Sequence, residues 1–429
     1  MAGENYHHGP EIIRVDTGDS VVVDQKMAVT WLQGTAPIQD AHATVEARKP
    51  FINQPVIIRT WEQAVAAFGE PKVGYSIPQA LRSMFNKNEG QGVGTIIVNN
   101  VFDPDVHKTG GNVPDPTLVS TADMTGDVAV DGKRSGFEVA MVCYNRFGFF
   151  PRRIIAPGFT GVLGIRQKML EIANRVKGHA IYDMTSGLTV QGAVEARGTT
   201  QPFATASGRS VICFPRLYAL DAITGEQSLQ PYSQHFAGIW NRVIATLGPQ
   251  HSPSNMAMND VSGTEIDVIW APNDYSVDTN LLNEAGIVTT MTRYGQGFHT
   301  WGASSTLWPT IHNTEAWLHA QVVMDAIDDA VLFYTLPYTD RGAILKRLTI
   351  IEERVNAYLA SKSGADDLNA WLYGGNFRFD RSKTTAESIV GAGQLFWKLD
   401  RQPIGIMHRI TIEASTKLEY VDQALGLVA

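Results

Sequence analysis

Arg153-Ile154-Ile155-Ala156-Pro157-Gly158, then residues 163–177, then His179-Ala180-Ile181-Tyr182-Asp183, is the stretch whose reading decides the fold. A short branched apolar run closed by Pro-Gly reads as a buried strand. Over 163–177, Leu163, Met169, Leu170, Ala173 and Val176 recur at helical spacing. Arg166, Lys168, Glu171, Arg175 and Lys177 fall on the side expected to face water, and Gly178 offers a left-handed stop. A second strand follows at once. Strand, helix, strand predicts parallel pairing through a crossover. The pattern recurs as a strand at Ser210–Pro215, a helix over 233–246 with Phe236, Ile239, Trp240, Val243 and Ile244 inward, and a strand at Gly286–Met291. Upstream, Ala28–Gly34, Pro55–Ile58 and Thr95–Val101 read as strands. Thr60-Trp61-Glu62-Gln63 reads as a capping box opening a helix that stops at Gly69, and a second helix runs from about Ile77 to Asn88. The fold class is α/β (mixed α+β), with mixed sheets flanked by helices.

Residues 102–148 differ in character. Asp, Pro, Gly, Thr and Val dominate, with turns at Lys108–Gly111, Thr125–Asp127 and Val130–Gly132, which predicts a small β-rich insertion. Residues 315–334 read as a helix anchored by Trp317, Val322, Ile327 and Val331, with Glu315, Asp325, Asp328 and Asp329 as a solvated acidic face. The next helix, about Thr339 to Ser361, is held to the core by Ile344, Leu345, Leu348, Ile351, Val355 and Leu359. Arg341, Lys346 and Arg347 cluster near its start, where positive charge opposes the helix dipole.

Both ends read as extended chain. From Pro403 to Glu413 the residues alternate strictly: Ile404, Ile406, His408, Ile410 and Ile412 point one way, Gly405, Met407, Arg409, Thr411 and Glu413 the other. That predicts a half-buried strand. A terminal strand needs a partner, in its own sheet or in another copy. At the other end, Glu11–Asp16, with Ile12, Ile13 and Val15, carries too little apolar mass to be fixed to its own domain and reads as an arm.

The 429 residues are 44% hydrophobic and 18% charged, which allows a sizeable core. A net charge of −8 gives no whole-chain attraction to nucleic acid. No apolar run is long enough to span a membrane, and the polar N-terminus predicts no leader peptide. Cys143 and Cys213 read as small core hydrophobes in a reducing compartment. His7-His8 lacks a third metal ligand. The glycines of 90–94 precede a strand and are followed by no Lys-Ser/Thr, so they form a plain turn and not a phosphate loop. His251-Ser252-Pro253-Ser254-Asn255 is turn chemistry, and Gly295–Gly302 a tight loop packed by Phe298 and Trp301. No catalytic, cofactor or metal signature emerges.

Several landmarks in order resemble the contractile tail sheath proteins of phages, a family shared with phage-like bacteriocins and injection systems. They are Tyr6-His7-His8-Gly9-Pro10-Glu11-Ile12, Pro151-Arg152-Arg153 through Phe159, Gly248-Pro249-Gln250-His251-Ser252-Pro253-Ser254-Asn255, and Ala285-Gly286-Ile287 through Trp301-Gly302-Ala303-Ser304-Ser305-Thr306. The last departs from the commoner Trp-Gly-Asn-Arg-Thr form, so no contact by that arginine carries over. The resemblance implies a non-enzymatic subunit that stacks as six-fold rings around an inner tube, linked by terminal arms that cross to neighbours. It implies partners in the tube, baseplate and tail terminator proteins, and residence in a virion tail or phage-like particle assembled in bacterial cytoplasm. It divides the chain into an N-terminal arm (1–24), an α/β core (25–101 and 149–305), an outer insertion (102–148), an inner C-terminal domain (306–402) and a C-terminal strand and arm (403–429). Ile12, Ile13, Val15, Ile404, Ile406, Ile410 and Ile412 would make arm contacts, and Arg341, Lys346 and Arg347 would face the tube. The competing readings are a cytosolic α/β enzyme with a site near His251 or Gly295–Gly302, and a non-contractile lattice protein.

Overall fold

The computed structural model describes residues 21–85, 92, 94–364 and 367–425. Strands β1 (Val29–Gly34), β2 (Val56–Ile58), β3 (Thr95–Asn100), β4 (Arg153–Ile155), β5 (His179–Asp183), β6 (Ser210–Cys213), β10 (Ile287–Arg293) and β11 (Gly297–Trp301) form one sheet in the order β11-β10-β6-β5-β4-β1-β3-β2. Its inner pairs are parallel; β2 and β11 close the two edges antiparallel. Strands β7 (Leu217–Leu220), β8 (Gln227–Gln230) and β9 (Val261–Thr264) make a small separate sheet.

The pleat divides the core in two. Leu32, Val98, Ile155, Ile181 and Val211 point to one face, Trp31, Ile97, Ile154, Tyr182 and Ile212 to the other. The first face is covered by helices α1 (Trp61–Phe68), α2 (Ser76–Met84) and α4 (Tyr232–Thr246), the second chiefly by α3 (Leu163–Val176). Each large side chain so buried contributes about 1.5–3 kcal/mol. Thr60 caps α1 by accepting from Gln63 N–H at 3.3 Å, while Gln63 Oε1 reaches back to Arg59 N–H, one residue earlier than a capping box would place it. Lys177, not Gly178, takes the left-handed turn after α3; Gly178 is instead a close approach, where a Cβ would lie 3.0 Å from the Arg152 carbonyl.

Helix α5 (Leu318–Thr335) joins two bodies. Leu318, Val322 and Ala326 enter the first core face, while Val323, Ile327, Ala330 and Val331 enter a third cluster. There they meet Ile351, Val355 and Leu359 of α6 (Leu345–Ser361) and Leu372 and Phe377 of the β12 (Leu372–Phe379)–β13 (Trp397–Pro403) hairpin. Val22 is buried in the same cluster, and Asp24 accepts from Tyr358 Oη at 2.7 Å and Lys362 Nζ at 2.5 Å. The last residues of the expected N-terminal arm (1–24) are therefore pinned to the chain's own C-terminal body.

The insertion corrects the β-rich expectation. Its turns are present, but only single bridges close them, Lys108 with Pro114 and Val128 with Arg134. The rest is short helix: Thr121–Thr125, Gly136–Val142 and Cys143–Phe147. Met124, Phe137, Val139, Ala140 and Cys143 are buried in the core on the second sheet face, so side-chain packing overrides the weak strand propensity.

His179 and His235 are among the buried histidines. Burial holds His235 down to about 3. Burial, with Arg209, Arg153 and Arg152 nearby, holds His179 well below its usual range. The unfolded chain binds these protons near pH 6.5, and the native chain does not. Stability is therefore complete above that pH and falls on acidification, by about 1.4 kcal/mol per pH unit for each ring. Urea midpoints measured between pH 7 and 4 should decline, with a shallower slope in His235→Gln; equal slopes would refute the assignment.

Candidate assembly surfaces

Of the expected acidic face only Glu315, which precedes α5, stays exposed; the three aspartates on α5 are paired with cations. Arg209 Nη1 and Nη2 donate to the two oxygens of Asp325, each at 2.6 Å. Arg401 Nη2 donates to Asp328 at 2.7 Å. Asp329 accepts from Arg152 Nη2 and, at 3.0 Å, from Lys177 Nζ. Burial raises the Asp328 pKa against the pull of Arg401 and Lys177. Beside this seam lies a polar cleft of about 400 Å³, lined by Asn174, Ser207, Gln321 and Met324 among others. Charge periodicity marked these acids as polar; only the fold shows that their partner is a row of cations and not water. Arg166 is corrected likewise: it is buried, donating to Thr160 O at 2.5 Å and Pro202 O at 2.6 Å beneath the Phe203 ring.

Arg153 is the most enclosed cation among the described residues. It is fully buried, its Nη1 donates to Met27 O at 2.5 Å, and its guanidinium lies 4.7 Å from the Trp240 ring centroid. Burial lowers its pKa to about 9, with Arg152 adding to the shift. His179 flanks the same indole at 4.8 Å.

The expected strand 403–413 is displaced. Ladder pairing belongs to β13 and ends at Pro403, opposite Leu372. Residues 404–417 run on without a strand partner among the described residues. Ile404 donates to Trp371 O at 3.1 Å, and its carbonyl accepts from His319 Nε2 at 2.9 Å. Ile404 and Ile406 are half-buried, whereas Ile410 is 70% and Ile412 83% exposed. A short helix, α7 (Glu419–Leu425), follows, with Tyr420, Val421 and Leu425 exposed. Alternation shows that one face needs cover; it does not say which chain supplies it. The hairpin has one edge already occupied, since Asn356 both donates to and accepts from the Phe377 backbone on β12. Ile12, Ile13 and Val15 lie outside the described residues.

The α6 start is also revised. The helix begins at Leu345, not Thr339, so Arg341 sits in the preceding turn and Lys346 in the first turn, both exposed. Arg347 is half-buried and donates to Gly342 O. Ile351, Val355 and Leu359 hold the helix as expected, but Ile344 and Leu345 do not: they are 55% and 73% exposed.

The enzyme-like motifs become scaffolding. Ser254 Oγ accepts from Gly302 N–H at 3.0 Å, and Thr300 Oγ1 donates to Pro253 O at 2.6 Å. Gly297–Trp301 is not a loop but strand β11, whose outer edge is bonded by Asn255 and Met258. At the carboxyl ends of β1 and β3, where open α/β sheets commonly bind ligands, the insertion intrudes. Gln33 Nε2 donates to Met124 O at 2.6 Å, and Asn99 Nδ2 to Gly136 O at 3.0 Å.

What the surfaces offer is docking area: exposed apolar chain at one end, an exposed basic turn, and a sheet whose usual ligand crevice is filled by its own insertion. They define a structural, assembling protein. Residues 132–306 match the family model for the phage tail sheath protein central domain. The tail sheath protein of Burkholderia phage BcepMu is 26% identical across 97% of this chain and 98% of its own length. That of Escherichia phage P2 is 21% identical across 97% of each. The helical sheath of the anti-feeding prophage in its contracted state superposes with a TM-score of 0.67 at 14% identity, covering 95% of this chain and 99% of that one. The contracted PVC sheath of an extracellular contractile injection system gives 0.65 at 14% identity, over 97% and 99%. Across 97% of its length the chain is similar to contractile tail sheath proteins. It is a structural component of a phage tail or phage-like particle, not an enzyme.

Proposed function

We propose that copies of this chain form six-fold rings that stack around an inner tail tube and contract to drive that tube through a target envelope. Terminal arms link the rings by strand exchange, with Ile12, Ile13 and Val15 at one end and the chain from Ile404 and Ile406 to Ile410 and Ile412 at the other. Baseplate and terminator proteins bound the stack, which assembles in the host cytoplasm. The observation that carries this reading is the exposed alternating segment beyond Pro403, which has no ladder partner among the described residues of its own chain. Each net hydrogen bond in a donated strand contributes about 0.5–1.5 kcal/mol, so several of them plus the buried isoleucines hold neighbours through a large movement. Arg341, Lys346 and Arg347 present positive charge to an acidic tube, a contact whose strength is limited by screening and so is releasable.

Electron microscopy of purified protein with its tube tests both parts. Deleting 404–429 should abolish striated tubes while leaving a monomer that still folds and unfolds cooperatively. Reversing Arg341, Lys346 and Arg347 to Glu should leave free sheath assembly intact but remove the inner tube. Tubes of normal length from the deletion, or tube-filled sheath from the reversal, would contradict the corresponding part.

A further inference from the structure

The root of the C-terminal arm does not leave the body where the ladder ends. Ile404 is bonded at both its N–H and its carbonyl, by Trp371 and His319. Four residues on, the His408 ring lies 4.9 Å from the Trp317 ring and 6.4 Å from that of Trp308. Arg409 then donates to Tyr275 Oη at 3.1 Å, with its guanidinium 5.3 Å from the Tyr275 ring centroid. These contacts come from three separate parts of the chain, so they form a ledge and not a single local turn. Past Arg409 the apolar side chains become exposed among the described residues: Ile410 at 70%, Ile412 at 83% and Leu418 at 79%.

We propose that the arm has two parts: residues 404–409 are a tether docked on the subunit's own aromatic ledge of Trp317, Trp308 and Tyr275, and the surface offered to a second copy begins at Ile410. This rests on the arm-exchange reading above and refines it, because it removes Ile404 and Ile406 from the exchanged strand. The ledge fixes the point and direction from which the free part departs. A shorter free segment searches a smaller volume, which raises its effective concentration at the neighbour.

The test uses the full chain carrying Tyr275→Cys and Arg409→Cys, joined by a short bismaleimide; the natural thiols of Cys143 and Cys213 are buried. If the tether stays home, the cross-linked monomer assembles into tubes as the unmodified variant does, and cross-linking preformed tubes gives one monomer-sized band on a denaturing gel. A ladder of multimers from preformed tubes, or cross-linked monomer that no longer assembles, overturns the two-part arm. A companion Tyr275→Ser, Arg409→Ser variant should raise the critical concentration for assembly about two- to five-fold, the range of an exposed cation–π contact; no change would count against the ledge. Deletion of 410–429 separates this idea from the broader one: if that deletion still forms tubes, arm exchange itself fails, whatever the cross-links report.

Discussion

Replacing Asp329 with Ala should destabilise the protein by about 3–5 kcal/mol, the range for stripping one partner from a buried ion pair. The Asp329 side chain is 7% exposed and that of Arg152 is 3% exposed. Arg152 also donates to the carbonyls of Val176 and Lys177 at the end of α3, so it cannot swing out to water without undoing that helix terminus. Without the carboxylate, the guanidinium keeps its burial and loses its counter-charge. Lys177, 35% exposed, would be little affected. The neighbouring Asp328–Arg401 pair gives an internal control: its side chains are 29% and 20% exposed, so Asp328→Ala should cost less, about 0–1 kcal/mol. Urea unfolding of the two variants side by side decides it. If Asp329→Ala is no worse than Asp328→Ala, the seam is not the clamp between the core and the C-terminal body that its geometry describes.

Trp240→Ala should cost a similar amount, about 3–5 kcal/mol, for a different reason. The indole is fully buried and packs against Phe236 at 5.7 Å, His179 at 4.8 Å and the Arg153 guanidinium at 4.7 Å. Truncation opens a cavity and takes from Arg153 the aromatic face that lies under its charge. Trp240→Phe keeps a ring and should recover much of the loss. Chemical denaturation measures both; a loss below about 1 kcal/mol for Trp240→Ala would mean that the surrounding core collapses onto the gap.

The sequence alone determined every strand of the main sheet except the edge strand β11, and most of the helices that cover it. Apolar alternation and 3.6-residue spacing are local properties, and Ile154, Ile155, Ile181 and Val211 lie where those periods place them. Landmark order along the chain also sufficed for the family. Tertiary structure alone decided where polar groups find partners. Asp325, Asp329 and Arg166 have the spacing of solvated residues, yet they are buried because the fold brings counterparts to them: Arg209 and Arg152, more than a hundred residues away, and the carbonyls of Thr160 and Pro202. The insertion depended on packing rather than propensity. The arm depended on the absence, among the described residues, of any strand beside 404–413. Periodicity records what a face requires; only the folded chain shows which atoms, near or distant, meet the requirement.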